Sequence, residues 1–337
     1  MTPGLTLAAA LAALLALLML RVPIAVSIGL VSFFGIVLVR GFDVAIAVVG
    51  NAPLEFASNW TLSAIPMFLL MGSVAHRSGL TRSLFDAARI WMGRLPGGLA
   101  LATVAATAMF SAASGSSVAT TAAMGRIAVP EMLRYRYDPG LATASVAAAG
   151  TLGSTIPPSI AFILFGWYTQ TPVGELLIAG IIPGILTAVV FGAFIFAYCL
   201  IRKDAAPTPP REELDLANRW RVLLGIWPMP VLVVSVVGVI YLGVATPTEA
   251  AALGALASIV IAIVMGNMTF AIFWECVQET LKTVAALLFI AVAAVIFVRF
   301  LTLAGIPPAI EAFGRSFQPD YLTIILFTAA ILLVLGM

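Results

Sequence analysis

The sequence predicts an all-α, polytopic membrane protein, and three observations lead there. The chain of 337 residues is 62% hydrophobic and only 9% charged, with a mean hydropathy of +1.13, where a soluble domain carries roughly 25% charged residues. Its apolar residues form long unbroken runs rather than the short alternating segments of a transmembrane barrel. Two of those runs are interrupted in the middle by small polar residues, at "SGSS" (114–117) and at "GTLGSTIPP" (150–158), which is how broken membrane helices and re-entrant hairpins read.

A spanning helix needs about 20 apolar residues, and the candidate spans are 4–20, 22–39, 60–76, 176–201, 222–242, 247–265 and 282–300. The first lacks a basic leading region and a cleavage site, so it reads as a retained helix rather than a signal peptide. The interrupted segments are 97–130 and 139–170, and a last apolar segment runs over 320–337. Two amphipathic stretches, 80–94 ("LTRSLFDAARIWMGR") and 268–281 ("MTFAIFWECVQETL"), read as helices lying along the membrane surface. The long polar linker 202–221, with its prolines and mixed charges, separates two halves. Cys199 and Cys276 lie in or near apolar helices and read as buried thiols, with no disulfide or metal spacing. Thr246-Pro-Thr-Glu249 has the spacing of a capping box with proline at the first helical position, which starts a helix at 247. His76, the single histidine, falls at a helix end beside Arg77 and reads as interfacial.

Basic residues orient the chain. With the N-terminus outside and 97–130 entering and leaving on the inner side, 14 of the 17 Lys and Arg residues fall inside, leaving Arg40, Arg299 and Arg315 outside. The halves also echo one another: "RVPIAVSIGL" (21–30) with "ATPTEAAALGAL" (245–256), and "MFLLMGSVAHRSGL" (67–80) with "AVIFVRFLTLAGIP" (294–307). The stretch after Gly79 would face inside and that after Gly305 outside, so the repeat is inverted. The expected division is 1–94 as first-repeat helices with a surface arm, 95–201 as a half-bundle with hairpin and broken helix, and 202–221 as an inner linker. The second-repeat helices and arm follow at 222–318, and 319–337 begins a second hairpin. On that alignment Met337 falls where the second hairpin should turn, so a C-terminal truncation that removes half of the paired site is expected.

Unsatisfied backbone groups in hydrocarbon cost several kcal/mol each, so a broken helix persists only where protein or water satisfies it. At the first break Gly115 permits unusual dihedrals, and the hydroxyls of Ser111, Ser114, Ser116, Ser117 and Thr120 can satisfy freed groups. At the second, Gly150 and Gly153 loosen the helix, Pro157 and Pro158 remove two donors, and Thr151, Ser154 and Thr155 supply oxygens. Helix ends expose carbonyls that can coordinate a cation and N–H groups that can hold an anion. Hydroxyl and carbonyl oxygens are hard ligands suited to Na⁺. Close helix packing by small residues is the competing account of "SGSS", and two polar interruptions in neighbouring segments favour one shared midplane site. Hydrolysis by a serine of "SGSS" would need a general base within hydrogen-bond reach; no lysine lies near, and the histidine belongs to the inner surface. Arg126, after the hairpin's second arm, snorkels to the inner interface or meets a substrate carboxylate.

The stretches "MFSAASGSSVATTAAMGRIAVPEM", "GTLGSTIPPSIAFILFGWYT", "IAGIIPGIL" and "ATPTEAAALGAL" resemble, in order along the chain, the large membrane subunit of TRAP (tripartite ATP-independent periplasmic) transporters. The resemblance implies a non-enzymatic, elevator-type secondary transporter in a bacterial inner membrane that imports organic acids, dicarboxylates or sugar acids, with Na⁺ as coupling ion and no other cofactor. It implies a periplasmic substrate-binding protein and a small four-helix membrane subunit as partners in the lipid bilayer, and no nucleic acid. A stand-alone Na⁺/anion transporter of related architecture is the alternative. The family's first ion-binding region carries over to Ser111, Ser114–Ser117, Gly150, Thr151, Gly153, Pro157 and Pro158. Ser154 and Thr155 stand where many relatives are more apolar, and either tune the substrate or do nothing.

Overall fold

The computed structural model describes residues 3–207, 219–316 and 320–336. Residues 208–218 of the expected linker, and position 319 where the second hairpin was expected to begin, lie outside the described residues. Among the described residues there is no strand. The helices run α1 (Pro3–Met19), α2 (Ile24–Arg40), α3 (Phe42–Ala57), α4 (Ala64–Arg77), α5 (Leu80–Met92), α6 (Gly98–Ser114) and α7 (Ser117–Arg134). They continue with α8 (Pro139–Gly150), α9 (Leu152–Thr155), α10 (Ile160–Thr169), α11 (Val173–Ala179), α12 (Ile181–Ile201) and α13 (Arg219–Gly225). The rest are α14 (Pro228–Val233), α15 (Val239–Tyr241), α16 (Pro247–Val264), α17 (Phe270–Leu303), α18 (Ile306–Ser316) and α19 (Tyr321–Gly336).

Among the described residues three stretches are long and apolar enough to cross a bilayer, Val173–Ile201, Pro247–Val264 and Phe270–Leu303, and the pair Pro139–Thr155 and Ile160–Thr169, bent by 41°, makes a fourth if it is one span. The side chains of α12 explain why a helix this apolar leaves so much of itself uncovered: Ile182, Ile185, Val189 and Phe194 are all exposed, as suits a helix whose solvent is lipid.

Three elements differ from the sequence reading. A helix of 16 residues, α3, occupies 42–57, a stretch interrupted by Asp43, Asn51, Pro53 and Glu55 that held no candidate span. The surface helix expected at 268–281 and the span expected at 282–300 are one 34-residue helix, α17, because no glycine or proline lies between them and Glu279 and Lys282 are good helix formers. The span expected at 222–242 breaks at Ile226–Trp227, and α14 restarts with Pro228 at its first position and passes through a π-helical turn at Val234–Gly238 into α15.

The chain divides into two compact units, residues 1–58 with 285–337, and residues 59–284. In the first, Val31 and Ile36 of α2, Ala45 and Ala52 of α3, and Ile296 and Phe300 of α17 share one buried cluster. Gly35 is what admits the Phe300 ring, since a Cβ there would lie 2.8 Å from Phe300 Cδ2, and Arg299 pairs with Glu55 between α17 and α3. The second unit holds the hairpin α6–α7, the bent helix α8–α10, and α4, α5, α12 and α16.

Arm α5 is amphipathic, as expected, and follows Gly79, a left-handed glycine with φ +86°. Its buried face carries Leu80, Leu84, Phe85 and Ile90, and Arg89 pairs with Glu131 of α7. Its sequence counterpart α18 likewise follows a left-handed glycine, Gly305 with φ +74°. The capping box at α16 is formed: Thr246 N–H donates to Glu249 Oε2 at 2.8 Å and Glu249 N–H to Thr246 Oγ1 at 3.4 Å. Thr246→Ala is expected to cost about 1 kcal/mol, read as a lower thermal midpoint.

Candidate functional site

The site grows from two helix ends. α6 stops because Gly115 takes a left-handed conformation, φ +61°, and its N–H closes on Ser111 O at 3.1 Å. The chain reverses within two residues, and Ser116 in extended conformation caps α7, its Oγ accepting from Ala119 N–H at 3.3 Å. The last carbonyls of α6 and the first N–H groups of α7 therefore lie side by side at the hairpin tip, one end partially negative and the other partially positive. At the hairpin base the Tyr137 hydroxyl accepts from Leu99 N–H at 3.1 Å, and burial pushes its pKa up to about 12.

The second break lies at Ile156–Ser159, between α9 and α10. Ser159 caps α10, accepting from Phe162 N–H at 3.4 Å and donating to Ser154 O at 2.6 Å. The two breaks meet. Ile160 N–H donates to Gly115 O at 3.1 Å, a hydrogen bond between the first residue of α10 and the tip of the hairpin. Glycines make the approach possible: a Cβ at Gly115 would lie 2.7 Å from Pro158 O, and one at Gly153 would lie 2.8 Å from Ser116 O and 2.9 Å from Thr120 Oγ1. A Cβ at Gly150 would run into Thr121. Across the tip the Ser114 and Thr120 hydroxyls pair with each other, both fully or nearly fully buried. Gly72 of α4 closes the remaining side, a Cβ there lying 2.7 Å from Ser114 Cα.

The sequence-predicted residues therefore separate. Ser114, Gly115, Ser116, Thr120, Gly150, Gly153 and Pro158 come together. Ser111 sits one turn down, buried, and donates to Thr107 O at 2.7 Å. Ser117 opens α7 half-buried, its carbonyl accepting from Thr121 Oγ1 at 2.7 Å. Thr151, Ser154 and Thr155 turn back on their own helix, donating to Ala148 O at 2.7 Å and to Thr151 O at 2.8 and 3.4 Å. Pro157 and Pro158 also face Leu177, Val236 and Ile240 in an apolar crevice. Sequence reasoning missed Ser159, Thr121 and Gly72. A serine directly before an apolar run is an N-cap signal, so Ser159 was findable; the other two carry no local signal.

The donors gathered here are neutral hydroxyl and carbonyl oxygens, and among the described residues no cluster of His, Cys, Asp or Glu could hold a metal ion. Nor does any serine of the tip pair with a base: Ser114 is bound to Thr120, and His76 Nδ1 lies 3.2 Å from Thr81 Oγ1.

A many-helix membrane chain in which two helix breaks dock on one another has the broken-helix architecture found in many membrane transporters. The family model of the tripartite ATP-independent periplasmic transporter, DctM component, matches residues 11–337, and the chain belongs to that family. It is similar to the C4-dicarboxylate TRAP transporter large permease protein DctM of Pseudomonas aeruginosa, 37% identical over 285 residues that cover 84% of this chain and 65% of that one. The isethionate TRAP transporter permease protein DctMQ of Oleidesulfovibrio alaskensis is 33% identical over 321 residues, 95% of this chain and 50% of that one. The ectoine/5-hydroxyectoine TRAP transporter large permease protein UehC of Ruegeria pomeroyi is 37% identical over 236 residues, 69% of this chain and 54% of that one. The chain thus spans between half and two thirds of the length of these curated relatives.

Proposed function

We propose that the chain serves a Na⁺-coupled importer of small organic acids, dicarboxylates or sugar acids, in a bacterial inner membrane. A periplasmic binding protein delivers the acid, a small four-helix membrane subunit braces the scaffold, and an elevator movement of the 95–201 half carries the site across. The N-terminus faces the periplasm, a reading that rests on the distribution of basic residues. The observation that carries the proposal is the hydrogen bond from Ile160 N–H to Gly115 O with the buried Ser114–Thr120 pair beside it. That arrangement concentrates carbonyl and hydroxyl oxygens without any fixed charge, which suits a weakly held monovalent cation as cargo. Na⁺ bound there would offset the charge of an acid, so each would favour binding of the other. The relatives named above carry C4-dicarboxylate, isethionate and ectoine in their names, and each of those molecules bears a carboxylate or a sulfonate.

Uptake into proteoliposomes tests this reading. The full gene product is reconstituted with its small subunit and binding protein, and a Na⁺ gradient is imposed. Accumulation is expected to require both Na⁺ and the binding protein. Accumulation without the binding protein would replace it with a stand-alone Na⁺/anion transporter, and accumulation indifferent to Na⁺ would remove the ion from the broken-helix site.

A further inference from the structure

A cleft of about 180 Å³ opens on the hairpin tip, walled by α4, α6, α7 and the N-terminal part of α17. Ser114, from the buried pair at the tip, lines it, and His76, Arg77, Arg126 and Glu279 bring charged and titratable groups to it. Three of these are engaged. Arg77 pairs with Glu275 and donates from Nε to Glu279 Oε2 at 3.1 Å, and Ser73 donates to the same oxygen at 3.1 Å. His76 Nδ1 is within hydrogen-bond distance of Thr81 Oγ1. Arg126 is different: it is exposed and, among the described residues, no carboxylate pairs with it.

The α7 face that lines the cleft reads Ala119, Ala122, Ala123, Arg126, the i, i+3, i+4, i+7 spacing of one helical stripe. Three methyl side chains leave a clear track from the tip, and it ends on a guanidinium about 13 Å along the helix from Ser117. An arginine within a membrane helix is costly unless it faces a partner or water. Its planar fork matches a carboxylate or sulfonate in two parallel hydrogen bonds.

We propose that Arg126 is a substrate subsite, taking the acid group of the organic anion in the cleft on the inner side of the helix breaks. This rests on the import reading above. Arg77 is held by two carboxylates, Glu275 and Glu279, so Arg126 is, among the described residues, the guanidinium lining the cleft that no carboxylate engages, and the track favours an anionic end group and tolerates variety in the remainder of the molecule.

Succinate, isethionate and ectoine serve as probes in two measurements on the reconstituted assembly. In uptake, Arg126→Gln raises the half-saturating concentration of whichever probe the parent carries by about tenfold, equivalent to about 1.4 kcal/mol. Arg126→Lys recovers part of that loss, and the Na⁺ half-saturation measured at saturating substrate stays at the parent value. Arg126→Gln with the parent's substrate half-saturation overturns the proposal. In the second measurement, Arg126→Cys in a Cys199→Ser, Cys276→Ser background is alkylated by a charged, impermeant thiol reagent in inside-out vesicles. The probes are expected to slow the reaction severalfold, and no slowing by any of the three overturns the proposal. Slowing without uptake by the parent would remove the import reading and leave the anion subsite standing.

Discussion

Gly153→Ala is expected to abolish Na⁺-dependent uptake while the chain still inserts in the membrane. The added methyl would lie 2.8 Å from Ser116 O and 2.9 Å from Ser116 C, and both are main-chain atoms at the cap of α7, which cannot rotate out of the way as a side-chain end can. Overpacking of this kind costs about 1–3 kcal/mol, and the cheapest relief is to push the hairpin tip away from α9. That separation lengthens the Ile160 N–H to Gly115 O hydrogen bond, now 3.1 Å, and pulls apart the oxygens that the two breaks contribute. Gly115→Ala should match it by a second route, since φ +61° costs a residue with a Cβ about 1–2 kcal/mol and Pro158 O lies 2.7 Å from the new methyl. Gly29→Ala, in open space, is the control and keeps parental uptake. Parental uptake in both Gly153→Ala and Gly115→Ala would mean that docking of the two breaks is packing alone.

The second large effect comes from the Ser114–Thr120 pair, where stability and transport are expected to part. Thr120→Val preserves shape but leaves the buried Ser114 hydroxyl without its partner, at a cost of about 1–3 kcal/mol. Ser114→Ala does the same to Thr120. Replacing both removes the orphan, so the double variant should regain most of the parent's thermal midpoint. If the pair only packs, transport returns with it. If the hydroxyls help hold Na⁺, the double variant stays stable while its Na⁺ half-saturation rises by about tenfold or more, a loss of about 1.4 kcal/mol of binding or greater. Recovery of both properties would remove these two oxygens from the ion site.

Much of this protein was legible before any coordinates. Composition and the length of the apolar runs defined an all-α membrane chain, because hydropathy summed along the sequence needs no knowledge of contacts. The hairpin tip and the second break were legible as well, since glycine at a left-handed turn, serine at a cap and paired prolines act within a few residues of themselves, as Gly115, Ser116 and Pro157–Pro158 do. The capping box at Thr246–Glu249 belongs to the same local class.

What the tertiary structure decided is which of these residues touch. Thr151, Ser154 and Thr155 look as suitable for a site as Ser114 and Thr120, yet their hydroxyls return to their own helix while Ser114 and Thr120 pair across the tip. Arg77 ends α4 and Arg126 lies midway along α7, and only packing against α17 reveals that the first is paired with carboxylates 198 and 202 positions away. In a soluble helix the apolar stripe would announce the buried face; here lipid accepts apolar residues on every side, so a small-residue helix carries no mark of which face meets its neighbour. The class, the breaks and the caps are local or summed properties, legible along one chain. Register between helices distant in the chain, and with it the chemistry of the site, was left to three-dimensional packing.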